Sequence, residues 1–158
     1  MNDTPLQGKT VRASRITISQ LMQPEHANHH GNVHGGVIMK LVDEAGALAC
    51  MRHAQRRVVT VAVDRMTFRQ PIRLGDLVIL NAEVSYVGRT SMEAHVHVEA
   101  ENPVTGERTF TNDAFLVYVA LDENGRAVPV PPLIPETEEE RRRMEAGRER
   151  QAYRLSQK

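Results

Sequence analysis

The stretch Asn28-His29-His30-Gly31-Asn32-Val33-His34-Gly35-Gly36-Val37-Ile38-Met39-Lys40-Leu41-Val42-Asp43-Glu44 gathers most of the residue types in this chain that could do chemistry. Its adjacent glycines stand where a polar loop passes into an apolar helical run. Glycine at a helix start lets a ligand or another backbone come close to the unpaired N–H groups. Those donors, with the positive end of the helix dipole, suit a carbonyl oxygen that becomes negative during reaction. The same pair could instead do no more than permit a tight loop-to-helix turn. Further on, Asp43 and Glu44 interrupt a segment that is otherwise apolar from Val37 to Met51, Lys40 apart. An acid in such a helix is costly unless it is paired or used, and desolvation tends to raise its proton affinity toward that of a useful general base.

At about 100° and about 1.5 Å per residue, Gly36 and Asp43 share a face but lie about 10 Å apart along the axis. One carbonyl cannot touch both. Two antiparallel copies side by side would solve this, each supplying half of a shared site, so the spacing predicts a dimer with two interface sites.

Other reactive residues carry weaker signals. His26, His29, His30 and His34 fall within nine residues, but Glu25 is the only acid in that loop and Cys50 is far off in sequence. Solvated or turn-forming histidines are therefore expected, with no metal. His95 and His97 are expected to be exposed on the polar face of a strand. Cys50 reads as a buried small hydrophobe. Thr60 could reach the site from a strand or simply pack there.

These side chains need elements to hold them. Residues 1–11 read as a loose arm, and Arg12–Gln20 as a strand. Gly35–His53 reads as a helix apolar on almost every face, hence buried. Val58–Asp64 is nearly continuous β-branched apolar, as in a strand covered on both faces. Asp76–Val87, Thr90–Ala100 and Glu107–Leu121 follow as strands, and Asn124-Gly125 signals a hairpin into Arg126–Val130. One long helix followed by four or five antiparallel strands predicts an α+β architecture, a sheet wrapped around a central helix. Pro129, Pro131, Pro132 and Pro135 then stiffen a linker that cannot join a central strand. Glu136–Lys158 carries six acidic and seven basic residues out of 23, which predicts a charged, solvated C-terminal helix. The domains expected are the arm at 1–11, the helix-and-sheet domain at 12–127, and the linker with its charged helix at 128–158.

Composition narrows the function classes. The chain has 158 residues, 20 Lys+Arg against 20 Asp+Glu, and one cysteine. A formal net charge of zero gives no field for nucleic acid or an anionic membrane. A single thiol excludes an internal disulfide and a cysteine-based zinc site. The longest strongly apolar charge-free run, Ala114–Leu121, is far below the roughly 18 residues that span a bilayer. A cytoplasmic protein with no membrane span is expected.

The pattern Asn28-x-x-Gly31-x-x-x-Gly35-Gly36 followed by Asp43-Glu44 resembles the hotdog-fold acyl-CoA thioesterases of the brain and bacterial acyl-CoA hydrolase branch. The resemblance continues in order through Val58-Val59-Thr60-Val61-Ala62-Val63-Asp64, Phe68, Pro71-Ile72, Gly75-Asp76 and Val87-Gly88-Arg89-Thr90-Ser91, covering roughly Ser14 to Arg126. It implies a hotdog fold, hydrolysis of fatty acyl-CoA to free CoA and a carboxylic acid, and dimers that often assemble three to a ring. Asp43 matches the family's catalytic carboxylate, which would activate water or attack the thioester itself. Asn28 matches the loop asparagine that would orient the water or the thioester, and the Gly35 and Gly36 amides would stabilise the oxyanion. Val87, Gly88, Arg89, Thr90 and Ser91 match the turn along the CoA moiety, where Arg89 would meet a phosphate and Gly88 would allow close backbone approach. No cofactor beyond water is implied, CoA being part of the substrate. His34 departs from the aromatic or aliphatic residue usual there, which leaves the acyl pocket and chain-length preference open.

Two rival readings share the fold. A hydroxyacyl dehydratase would pair His30 or His34 with Glu44, but the loop spacing fits the thioesterase pattern better. A non-catalytic acyl-CoA-binding module would have no use for Asp43 together with Asn28.

Overall fold

The structure is a computed structural model that describes residues 5–158. Strands β1 (Lys9–Thr10) and β2 (Ile16–Leu21) precede helix α1 (Gly35–Ala54). Strands β3 (Arg57–Met66), β4 (Leu77–Val87), β5 (Ser91–Glu101), β6 (Arg108–Leu121) and β7 (Leu133–Ile134) follow, and helix α2 (Glu138–Ser156) ends the chain. Five strands form one antiparallel sheet in the order β2-β4-β5-β6-β3.

The alternation in β5 sets the two faces. Met92, Ala94, Val96, Val98 and Ala100 are buried against α1, where they meet Val42, Ala45, Ala49 and Cys50. Their neighbours Glu93, His95, His97 and Glu99 lie on the other side, where Glu93 meets Arg150 of α2. The sheet is therefore a layer between two helices. α1 begins at His34, whose ring Nδ1 accepts the Gly36 N–H at 3.0 Å. It ends at Gln55, which takes a left-handed φ of 52° and donates its N–H to the Met51 carbonyl.

The expected α+β hotdog architecture is present, and several elements differ from their expected form. α1 is not buried all round: Gly36, Met39, Lys40 and Glu44 are exposed, and only the opposite face meets the sheet. β3 is not covered on both faces. It is an edge strand, and Val59, Val61 and Val63 are each about half exposed, at 44%, 54% and 48%. Continuous apolar sequence marks surface to be buried, and among the described residues of one copy nothing buries these two faces.

Arg12–Ser14 forms a 3-10 turn rather than the start of β2. The Ser14 hydroxyl bonds the Val11 carbonyl at 2.7 Å and accepts the Val84 N–H at 2.9 Å, side-chain bonds that compete with strand pairing. Arg126–Val130 is no strand. It touches the sheet through the Leu121–Ala127 bridge and the Val128 N–H to Ala120 carbonyl bond, then runs as a strap into β7. Of the expected loose arm, residues 1–4 lie outside the described residues, while Lys9–Thr10 pairs in parallel with Leu133–Ile134.

The charged tail is not simply solvated. α2 lies across the outer face of the sheet and neutralises acids there. Arg150 grips Glu93 with two 2.8 Å bonds, Arg143 reaches Glu83 at 2.7 Å, and Arg154 pairs with Asp64. Glu93 is 1% exposed, and the fork supplies the hydrogen bonds that water cannot. Gly147 permits the close crossing, since a Cβ there would stand 2.6 Å from Tyr86 Cβ. Among the described residues no helix is long and apolar enough to cross a membrane.

Candidate active site

The loop before α1 is held by its own polar groups. Asn28 Oδ1 accepts the N–H groups of His30 (2.9 Å) and Asn32 (3.1 Å), closing an Asx turn in which Gly31 has a positive φ of 84°. The Asn28 side-chain amide nitrogen donates to nothing among the described residues. Asn28 borders a cavity of about 300 Å³ that is also lined by Gly35, Ile38, Phe68 and Ile72. The Phe68 ring closes over Gly35, with its Cζ 3.8 Å from where a Cβ would be.

The two glycine amides are not equivalent. The Gly35 N–H has no partner among the described residues, whereas the Gly36 N–H is taken by His34. Of the two amides expected to stabilise the oxyanion, one is therefore free and one is capped. The cap is the His34 ring.

Asp43 sits half buried on α1 beneath the edge of the sheet. Its Oδ1 accepts the Thr60 hydroxyl at 2.8 Å and the Tyr118 hydroxyl at 3.0 Å, and Oδ2 accepts no bond among the described residues. Thr60 and Tyr118 are cross-strand partners of β3 and β6, with a bulge immediately after Thr60. Bulges of this kind re-aim side chains next to reactive sites. Burial pushes the Tyr118 phenol well above its ordinary range, and the Asp43 charge adds to the effect. The phenol therefore stays protonated and donates to the carboxylate. Glu44 faces outward, exposed and without a partner among the described residues.

The sequence reading does not single out Tyr118 and Gly46, which join this cluster. A Cβ on Gly46 would stand 2.5 Å from the Tyr118 hydroxyl, so glycine is what admits the phenol to α1. Signals for both exist. Tyr118 is the one hydroxyl in the apolar run Ala114–Leu121, and Gly46 is a helix-weakening residue in mid-helix.

The expected substrate-binding turn, Val87 to Ser91, is the tight β4–β5 hairpin, closed by the Gly88 N–H to the Ser91 carbonyl at 2.8 Å. It borders a cleft of about 1000 Å³ at the C-terminal end of α1. The histidines serve local structure: His26 Nδ1 accepts the Gln23 N–H and His34 caps α1. Among the described residues no group of three His, Cys, Asp or Glu side chains is placed to hold a metal ion. His95 is largely covered rather than exposed. It bonds Asp113 at 2.8 Å, stacks on Phe115, and lies near Arg143 of α2. Cys50 is fully buried, and burial pushes its thiol far above the ordinary range, leaving it inert.

One copy therefore carries two separate clusters. Asp43, Thr60 and Tyr118 form one, and Asn28 with Gly35 the other, about 12 Å further along α1 at about 1.5 Å per residue.

The family model of the thioesterase superfamily matches residues 30–107. The chain is 40% identical over 134 residues to the acyl-CoA thioester hydrolase YkhA of Bacillus subtilis, which has not itself been characterised, covering 85% of this chain and 74% of YkhA. It is 38% identical over 143 residues to the human cytosolic acyl coenzyme A thioester hydrolase, covering 89% of this chain but spanning only 38% of the human protein. Among solved structures, an apo-hexameric acyl-CoA thioesterase superposes with a TM-score of 0.91 at 40% identity, covering 96% of this chain and 97% of that one. An acyl-CoA hydrolase from Staphylococcus aureus, in complex with butyryl coenzyme A, coenzyme A and coenzyme A disulfide, superposes with a TM-score of 0.86 at 31% identity, covering 94% and 91%. Other structures of the S. aureus enzyme carry an alanine in place of an aspartate, an asparagine or a threonine. The chain belongs to the acyl-CoA thioester hydrolases of the thioesterase superfamily and has their hotdog fold.

Proposed function

We propose that this protein hydrolyses acyl-CoA to free CoA and a carboxylic acid, with Asp43 as the reacting carboxylate. One observation carries the reading: Asp43 is held by two hydroxyl donors on Oδ1 while Oδ2 stays open. A carboxylate fixed in this way can take a proton from water as the water attacks the thioester carbonyl, or attack that carbonyl itself. Asn28 would orient the water or the thioester through its unused amide. The Gly35 amide, joined by Gly36 once the His34 ring turns away, would receive the developing oxyanion. The leaving CoA thiolate needs only a proton, so the chemistry calls for no group beyond water.

The two half-sites are too far apart to act on one carbonyl within a copy. A second copy whose α1 runs antiparallel to the first would bring Asn28 and Gly35 of one to Asp43 and Thr60 of the other. The uncovered face of α1 and the exposed edge strand β3 are the surfaces such a pairing would bury. Three such dimers would make a hexamer, the state named for the similar apo thioesterase. A cytoplasmic setting fits the cytosolic human relative.

The test is release of free thiol from a panel of short to long acyl-CoAs by the full chain and by Asp43→Asn. Hydrolysis by the first and not by the second is expected. No hydrolysis of any thioester would overturn the reading and leave acyl-CoA binding or hydroxyacyl dehydration to be measured.

A further inference from the structure

Helix α1 carries a single cation between Gly35 and Met51, and it is a lysine. Of the chain's 20 basic residues only Lys9, Lys40 and Lys158 are lysines, so an ammonium stands here where the protein elsewhere uses guanidinium. Lys40 lies on the uncovered face of α1, exposed beside Met39 and one turn before Asp43, and it makes no ion pair among the described residues. Glu44, four residues on, does not take it. A lysine placed before a glutamate at that spacing is the weaker order for a pair on one helix. Asp43 is drawn toward the sheet, where the Thr60 and Tyr118 hydroxyls hold its Oδ1.

An exposed ammonium is well solvated, but a second copy laid on this face would remove the water. An unpaired charge left there is strongly unfavourable, so covering the face requires an acid opposite Lys40. The register supplies one. With Gly36 of one α1 opposite Asp43 of another, as a shared site requires, the two-fold axis passes between Met39 and Lys40. Lys40 then lies about 6 Å along the helix from the level of the facing Asp43, four residues at about 1.5 Å each. Side chains on a helix lean toward its N-terminus. Lys40 therefore leans toward its own Gly36, which has no side chain to stand in the way. The Asp43 facing that glycine leans back toward Lys40, because its helix runs in the opposite direction. The same rule carries the Lys40 stem away from Asp43 of its own helix.

We propose that Lys40 is a positioning residue for hydrolysis: its ammonium pairs with Asp43 Oδ2 of the facing copy and keeps that carboxylate charged and aimed when the interface excludes water. Oδ2 accepts nothing else among the described residues, and its remaining lone pair is left for the attacking water. The inference rests on the thioesterase reading with its paired α1 helices, and deepens it. Each site then takes Asp43, Thr60 and Tyr118 from one copy and Asn28, Gly35 and Lys40 from the other.

The test has a contact arm and a kinetic arm, both on the full chain. A carbodiimide joins an amine to a carboxylate only where the two touch, and with so few lysines the product is readily assigned by peptide mass spectrometry. The protein should give a denaturant-resistant dimer through an amide between Lys40 and Asp43, a link absent from Lys40→Met and from Asp43→Asn. Dimers linked only at other residues, or no linked dimer, would overturn the pairing. In the kinetic arm, Lys40→Met should lower kcat for one acyl-CoA about tenfold or more with KM little changed, and Lys40→Arg should recover part of the loss because charge is restored. Lys40→Met and Asp43→Asn chains, co-expressed and purified as heteromers, should exceed both parents several-fold, since one site of each mixed pair regains both groups. Turnover between those of the two parents would put Lys40 to work on its own helix and overturn the proposal. If no thioester is hydrolysed the enzyme reading fails on its own, and the cross-link still decides the pairing.

Discussion

The Tyr118 hydroxyl donates to both the main-chain carbonyl and the Oδ1 carboxylate oxygen of Asp43, at 2.9 and 3.0 Å. One phenol from the sheet thus fixes the position of the helix backbone and of the acid upon it. The contact exists because Gly46, on the same face of α1, leaves room for the ring. Thr60 completes the arrangement from the edge strand.

Removing either donor should misplace the carboxylate without unfolding the chain. Tyr118→Phe and Thr60→Val should each lower kcat for thioester hydrolysis about tenfold to a hundredfold, with a smaller change in KM. Gly46→Ala should act in the same direction by pushing the phenol away. Steady-state kinetics with one acyl-CoA checks all three, and wild-type kcat in Tyr118→Phe would remove the phenol from the account.

Asp43→Asn keeps the shape of the side chain and loses its basicity. It should reduce kcat by about 10²–10⁴-fold while acyl-CoA binding, followed by calorimetry, stays near the wild-type value. Glu44→Gln should be nearly silent, because Glu44 faces outward without a partner among the described residues. If Glu44→Gln proved the inactive one, the role would move to that residue.

The outer face predicts a stability effect independent of catalysis. Arg150→Met strips a buried carboxylate, Glu93, of both its charged bonds, and should cost about 3–5 kcal/mol in urea unfolding. Adding Glu93→Gln should recover much of that loss, because Ser85 can still bond the amide. A single variant as stable as the wild type would show that α2 is not anchored there.

Acid should weaken the fold through His53. Burial is the main influence on its ring and lowers its pKa below the ordinary value of about 6.5, while its Nε2 is bonded to the Pro131 carbonyl at 2.7 Å. As pH falls below about 6.5 the unfolded chain takes up a proton that the folded chain refuses, so stability drops. Burial lowers the His95 pKa in the same way, against the opposing pull of Asp113. Urea midpoints measured at pH 7.5 and pH 5.5 should fall less in His53→Gln than in the wild type, and an equal fall would assign the acid sensitivity elsewhere.

Elements with a strict period were legible in the sequence. β5 announces both faces of the sheet through Met92 to Ala100, and α1 is bounded within a residue by Gly35 and the cations Arg52 and His53. The misreadings share a physical origin. Val59, Val61 and Val63 require burial, but a sequence does not say whether the cover comes from its own chain or another, so the edge strand was taken for an internal one. The arginines of α2 look solvated until Glu93, Glu83 and Asp64 are seen beneath them, because ion pairs between residues about 60 to 90 positions apart leave no local trace. For the same reason the sequence singles out Asp43 but gives no sign that its hydroxyl partner is Tyr118, 75 residues away. His34 was noticed as a departure, yet only the cap geometry reveals that it occupies the Gly36 amide.

The measurement that bears most directly on the account uses mixed oligomers. Asp43→Asn spoils one half-site and Asn28→Ala the other, and each variant alone should be nearly inactive in thiol release from acyl-CoA. Co-expressed with different affinity tags and purified as heteromers, they form some interfaces in which one site has both spoiled halves and the other has none. The account predicts that these heteromers regain a substantial fraction of wild-type turnover per interface. Heteromers as inactive as their parents would contradict it, because Asp43 and Asn28 would then have to act within a single copy.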